Sequence, residues 1–128
     1  MRDASVVEGI SAPSGPYSHA VSIAPGRLIC VSGLGPFRED GSIIGTTVEE
    51  QVHATLDNLA AIASAYGLTL DDVARTTVYL ADLATAAAMN RVYRERFSAP
   101  YAARTTIGCQ LAGIQVEIDA LLSAGGTG

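Results

Sequence analysis

Arg104 stands at the mouth of a short apolar segment, Arg104-Thr105-Thr106-Ile107-Gly108-Cys109, and Glu117 interrupts a second, Ile114-Gln115-Val116-Glu117-Ile118-Asp119-Ala120-Leu121-Leu122. Strand interiors exclude charge unless one face is wet or a partner compensates the burial. A guanidinium is a planar fork that matches a carboxylate bidentately. The small neighbours Ala102, Ala103, Thr105, Thr106 and Gly108 leave room, and backbone N–H groups, for a ligand beside it. A carboxylate can orient and deprotonate a water. Should the two converge, the pair would hold a carboxylated molecule and move protons on it. Each also has a plainer reading. Arg104 would be a surface ion pair at a strand start. Glu117, sharing a face with Gln115 and Asp119 by alternation, would face solvent on an edge strand.

Further candidates carry the same double reading. Tyr17, in Gly15-Pro16-Tyr17-Ser18, either follows a structural turn or offers its ring and hydroxyl to a ligand. Ser32-Gly33 ends a strand-like run, and Asn90 lies in a helical stretch where an asparagine is more often structural.

Composition removes several chemistries. All eight basic residues are arginine, so no lysine serves as Schiff base, general base or phosphate-loop cation. A net charge of −5 without an arginine cluster argues against nucleic acid. Cys30 and Cys109 lack CxxC spacing and His19 and His53 are far apart, so buried free thiols are expected and no metal. There is no GxGxxG, no phosphate-binding loop and no nucleophile elbow, and no nucleotide cofactor or Ser-His-Asp catalysis is expected. No stretch approaches the apolar length of a membrane span, and no signal peptide is recognisable, so a cytoplasmic protein is expected.

The elements that must position these residues form one domain over 1–128, with 123–128 expected as a disordered tail. Tyr17–Ala24 and Arg27–Ser32 read as strands joined at Pro25-Gly26, a predicted hairpin. Thr47-Val48-Glu49-Glu50 is a capping box. Val48, Val52, Leu56, Leu59 and Ala63 then line one helical face, and Gly67 stops the helix. Val73–Leu80 is a strand and Thr85–Phe97 a helix with a Met89, Val92, Tyr93 stripe; the Arg104 and Glu117 strands close the chain. The order β-β-α-β-α-β-β predicts an α+β layer with two helices on one face of a mixed sheet. Leu28-Ile29-Cys30-Val31 and Val78-Tyr79-Leu80 are apolar throughout. Two helices cover one face only, so the other predicts a homo-oligomer with a pocket near the seam.

The segments taken together resemble the Rid (YjgF) family of reactive-intermediate deaminases, also labelled L-PSP endoribonucleases. The resemblance runs from Ala12 to Leu122. It rests on Gly15-Pro16-Tyr17-Ser18-His19-Ala20-Val21, Val31-Ser32-Gly33, Glu49-Glu50-Gln51 with Leu56-Asp57-Asn58-Leu59, and Thr76-Thr77-Val78-Tyr79-Leu80-Ala81-Asp82-Leu83. Met89-Asn90-Arg91-Val92-Tyr93, Ala103-Arg104-Thr105-Thr106 and Val116-Glu117-Ile118-Asp119-Ala120 complete it. It implies a chorismate-mutase-like fold, a homotrimer with clefts between subunits, and cofactor-free hydrolysis of enamines and imines such as 2-aminoacrylate to 2-keto acids and ammonia. On this resemblance Arg104 would clamp the substrate carboxylate, and Glu117 would activate water. Tyr17 would join them, with Ser32, Gly33, Leu34, Asn90, Thr105 and Thr106 binding substrate.

Three features depart from the family pattern. Leu34 stands where many members carry Gln, the Phe97–Arg104 loop is shorter, and the Arg104–Glu117 interval is about two residues shorter. These departures keep two alternatives open: a member dedicated to another unstable pathway intermediate, and a non-enzymatic binder of small carboxylated metabolites.

Overall fold

The computed structural model describes residues 2–125. Strands β1 (Arg2–Ser5) and β2 (Ala20–Ile23) pair antiparallel as a small separate sheet. The main sheet holds β3 (Leu28–Leu34), β4 (Val73–Leu80), β5 (Ala103–Gly108) and β6 (Val116–Ser123) in the order β3-β6-β4-β5. Strands β4 and β5 run parallel, and the other neighbours run antiparallel. Helix α1 (Val48–Ala65) lies between β3 and β4, and α2 (Ala86–Arg96) makes the crossover from β4 to β5.

The α1 boundaries follow from local chemistry. The Thr47 hydroxyl accepts from Glu50 N–H, while Glu50 Oε1 accepts from the N–H groups of Thr46 and Thr47 at 3.0 and 3.1 Å. Those backbone donors, Thr46 first, hold the Glu50 carboxyl below its ordinary range. At the other end Gly67 takes φ +74, a left-handed conformation that favours glycine.

Both helices pack on one face. Val52, Leu56 and Leu59 of α1 and Met89, Val92 and Tyr93 of α2 bury against Ile29, Val31, Val78, Leu80, Val116, Ile118 and Leu122. The opposite face is bare in the protomer: Leu28 is 47% exposed and Ile107 42%, and Cys30, two residues along β3 from Leu28, is exposed as well. The buried thiol expected at Cys30 is therefore exposed, because β3 alternates and Cys30 points away from the helices.

Two further expectations change. The predicted β2–β3 hairpin does not form. Strand β3 pairs instead with β6, where Ile29 meets Leu122 and Val31 meets Ala120, so two apolar strands share the core. The shorter β2 is left to pair with β1, whose Arg-Asp-Ala-Ser sequence carries no strand signal. Ser123, expected in the tail, is the last residue of β6 and is buried; residues 126–128 lie outside the described ones. No helix among the described residues is long and apolar enough to cross a membrane.

Candidate active site: two half-sites on opposite faces of one sheet

Arg104 enters from β5 on the helix-covered face. It is in register with Thr76 of β4, whose buried hydroxyl meets the Tyr93 hydroxyl at 2.9 Å. The Arg104 guanidinium carbon lies 4.9 Å from the Tyr93 ring centre and 5.5 Å from that of Tyr17. Tyr17 is delivered by the loop before β2. Ser18 ties this loop to the start of β5, its N–H donating to Ala102 O at 3.2 Å and its hydroxyl to Tyr101 O at 2.5 Å. Ser14 N–H donates to the Tyr17 hydroxyl at 3.2 Å. The contacts with the Ser14 hydroxyl and backbone hold the Tyr17 phenol below its ordinary range.

Asn90 projects from α2 into the same corner. A Cβ placed on Gly15 would lie 3.2 Å from Arg104 Nη2, 3.4 Å from Asn90 Nδ2 and 3.6 Å from the Tyr17 ring, so the loop closes over all three only because residue 15 has no side chain. Arg104 Nη1 and Asn90 Oδ1 are buried without a hydrogen-bond partner, and the ion pairs among the described residues do not include Arg104. Burial drives the guanidinium pKa down. Two aromatic faces offset part of that cost, each by about 0.5–2 kcal/mol. The corner thus holds a partly desolvated cation with a free donor, chemistry that the lone pairs of an anion would suit, beside a free acceptor at Asn90 Oδ1.

Glu117 belongs to the other face. It pairs with Tyr79, three residues beyond Thr76 on β4, and an odd separation sends the two side chains to opposite sides of the sheet. Strand β4 also stands between β5 and β6, placing the backbones of Arg104 and Glu117 on the order of 10 Å apart across the sheet. Within one chain the arginine and the glutamate do not share a pocket.

Glu117 lies instead over the end of β3. The pairing of β3 with β6 slips between Val31 and Leu34, and Ser32 and Gly33 occupy the slip, both exposed. A Cβ on Gly33 would fall 2.5 Å from Glu117 Oε2 and 2.9 Å from its Cδ. The carboxylate therefore rests on bare backbone. The start of β6 is pinned from α1 and the loop before it: Gln115 N–H donates to Gln51 Oε1 at 2.8 Å and Gln115 Nε2 to Thr46 O at 2.7 Å. Beside the carboxylate opens a cavity of about 410 Å³, walled by Leu34, Phe37 and Ile62.

The expected site residues thus divide. Arg104, Tyr17 and Asn90 gather in one corner, and Thr106 shares their face of β5 by alternation. Ser32, Gly33, Leu34 and Glu117 gather at the other. Thr105 points away from Arg104, its hydroxyl accepting from Arg75 Nη2 at 3.2 Å. Tyr93, Gly15 and Gln51 were not anticipated as parts of the site. The i,i+3 spacing of Asn90 and Tyr93 on one helical stripe was a usable signal for Tyr93. Among the described residues no three His, Cys, Asp or Glu side chains cluster as metal ligands.

The family profile described as Endoribonuclease L-PSP matches residues 9–123. The chain belongs to the Rid (YjgF/L-PSP) family. The RutC family protein y4sK of Sinorhizobium fredii is 41% identical over 112 residues, covering 85% of this chain and 87% of that protein. Reactive Intermediate Deaminase A, chloroplastic, of Arabidopsis thaliana is 38% identical over 104 residues, 79% of this chain and 54% of that one. The crystal structure of the Rid-family protein YyfB of Yersinia pestis superposes with a TM-score of 0.79 at 26% identity, covering 95% of this chain and 98% of that one. The α+β architecture with two helices on a mixed sheet is thus the Rid fold. A chloroplastic relative shows that this family is not confined to the cytoplasmic compartment expected from the sequence.

Proposed function

We propose that this Rid-family protein hydrolyses reactive 2-imino acids and their enamine tautomers, of the 2-aminoacrylate type, to 2-keto acids and ammonia. The observation that carries the reading is Arg104: a half-buried cation whose buried Nη1 is unpaired, with no acidic partner among the described residues and walls of tyrosine on two sides. Such a group fits a small carboxylate. The working site joins the Arg104 corner of one copy to the Glu117 corner of a second, in the homotrimer that the resemblance implies. The bare, partly apolar sheet face supports such an assembly.

In this cleft Arg104 grips the substrate carboxylate, with Asn90 and the β5 backbone at Thr106 alongside. Glu117 takes a proton from a water, and the water oxygen bonds to the imine carbon as the C=N π pair moves to nitrogen. The nitrogen of the tetrahedral carbinolamine takes that proton from Glu117, and collapse follows when Glu117 relays the hydroxyl proton to the same nitrogen, so that the C–N bond breaks to release ammonia as the keto C=O forms. One water is consumed and no electrons are exchanged. Imines hydrolyse readily in water, so positioning and one acid/base group suffice for useful acceleration.

The test uses an imine generated in place by an amino-acid oxidase, with keto-acid release followed against the spontaneous rate. Arg104→Ala is expected to lose at least about a hundredfold in kcat/KM while keeping its circular dichroism spectrum. Wild-type turnover by a folded Arg104→Ala protein would refute the reading.

A further inference from the structure

We infer that the cavity beside Glu117 is a side-chain subsite, and that it selects 2-imino acids carrying branched apolar side chains over small or acidic ones. The inference rests on the reading of Glu117 as the water-activating group. The carbon under attack is trigonal and carries three substituents. Its carboxylate goes to Arg104 of the neighbouring copy, and its nitrogen must stay within proton reach of Glu117. The third substituent has the remaining direction, into the space of about 410 Å³ that Glu117 shares with Leu34, Phe37 and Ile62.

The walls of that space define what it accepts. Asn58 is the other polar side chain lining it, and its Nδ2 is spent on Gly35 O at 3.0 Å and Phe37 O at 3.1 Å. No cation lines the cavity. A second carboxylate would meet Glu117 with no cation lining the cavity to neutralise it, and an amide would find no free side-chain donor there for its oxygen. A branched hydrocarbon meets the apolar side chains of Leu34, Phe37 and Ile62 and asks nothing of the two polar ones. A methyl or methylene leaves most of the volume empty and forgoes those contacts. Gly35 preserves the shape, because a Cβ there would lie 2.4 Å from the Phe37 ring. Leu34 and Phe37 are thus the specificity-determining residues.

The experiment supplies imines from leucine, alanine, glutamine and glutamate with broad-specificity amino-acid oxidases and measures kcat/KM for each. The leucine-derived imine should exceed the alanine-derived one by at least about tenfold, as expected for burying added methylenes in an apolar pocket. The glutamate-derived imine should remain at its spontaneous rate. Leu34→Gln should bring the leucine and glutamine imines to within about threefold of each other. Should that variant not fold, Phe37→Ala, at a position 37% exposed, should shift preference toward a phenylalanine-derived imine. Equal acceleration of the leucine and glutamate imines would overturn the subsite while leaving the deaminase reading intact. Acceleration of none would sink the deaminase reading, and calorimetry would then decide the subsite. Tighter binding of 4-methyl-2-oxopentanoate than of pyruvate or 2-oxoglutarate supports it, and equal or reversed affinities end it.

Discussion

The two half-sites solve opposite problems. The Arg104 corner has its walls in place within one chain, a guanidinium between Tyr17 and Tyr93, clasped by the Gly15 loop and backed by α2, with Nη1 left unpaired. The Glu117 corner is open, a carboxylate over the bare backbone of Gly33 with an apolar hollow beside it. The cation needs burial and fixed geometry, because the bidentate fit to a carboxylate is lost when the fork swings. In the proposed reaction the glutamate reaches water and takes and returns a proton, which a sealed, paired carboxylate does poorly. A sheet with one covered and one bare face supplies both environments from one chain. It also keeps the arginine and glutamate of the same copy from neutralising each other.

The strongest way to break this comparison is to separate the halves genetically. If each cleft takes Arg104 from one copy and Glu117 from another, Arg104→Ala and Glu117→Gln chains should each be nearly inactive alone. Co-refolded in equal amounts, they should recover about one quarter of the wild-type rate, since random mixing pairs an intact arginine with an intact glutamate in about one cleft in four. Activity that stays at the single-variant level after demonstrated subunit exchange would place both residues in one chain's site and contradict the two-copy cleft.

Smaller changes sharpen the difference between the corners. Gly33→Ala forces its Cβ against the flexible end of Glu117, which must swing aside. Its kcat should fall about tenfold with little change in KM, because the carboxylate is displaced rather than the anchor. Gly15→Ala presses on Arg104 and Asn90 at 3.2 and 3.4 Å; its KM should rise severalfold with kcat less affected. Steady-state kinetics on one imine decides both, and the reverse pattern would exchange the roles assigned to the two corners.

Much of this arrangement was legible in the sequence where local chemistry dictates structure. The Thr47 capping box, the Gly67 stop and the apolar stripe of α1 are written within a few residues of one another, and the helix forms where they say. Arg104 and Glu117 were legible as charges inside apolar strands. Their separation was not, because it depends on β4 slipping between β5 and β6, a long-range pairing that alternation within each strand cannot reveal. The β2–β3 hairpin misled for the same reason. A turn signal at Pro25-Gly26 says that the chain reverses, not which strand the apolar Leu28–Val31 will choose, and β6 offers it a better-matched apolar partner. Tyr93 read as core, and it is core; its second role as a wall for Arg104 arises because the arginine reaches inward to it.

That double role of Tyr93 yields the subtlest test. Burial raises its phenol pKa above the ordinary tyrosine value, more than the Thr76 hydrogen bond and the nearby Arg104 lower it. A group whose folded pKa is raised adds stability that is fully present below its unfolded pKa of about 10 and is lost as pH climbs through the folded value. Tyr79, raised by its hydrogen bond to Asp119, contributes with the same sign. Tyr93→Phe removes one titration and keeps the ring face. Its melting temperature should therefore fall less steeply between about pH 9 and 11 than that of the wild type, while kcat/KM at neutral pH stays within about threefold because Arg104 keeps its aromatic wall. Tyr93→Leu removes ring and hydroxyl together, and should raise KM further than Tyr93→Phe does. Equal KM in the two variants would mean that the Tyr93 ring does not hold Arg104, and that the Arg104 corner owes its geometry to Tyr17 and the Gly15 loop.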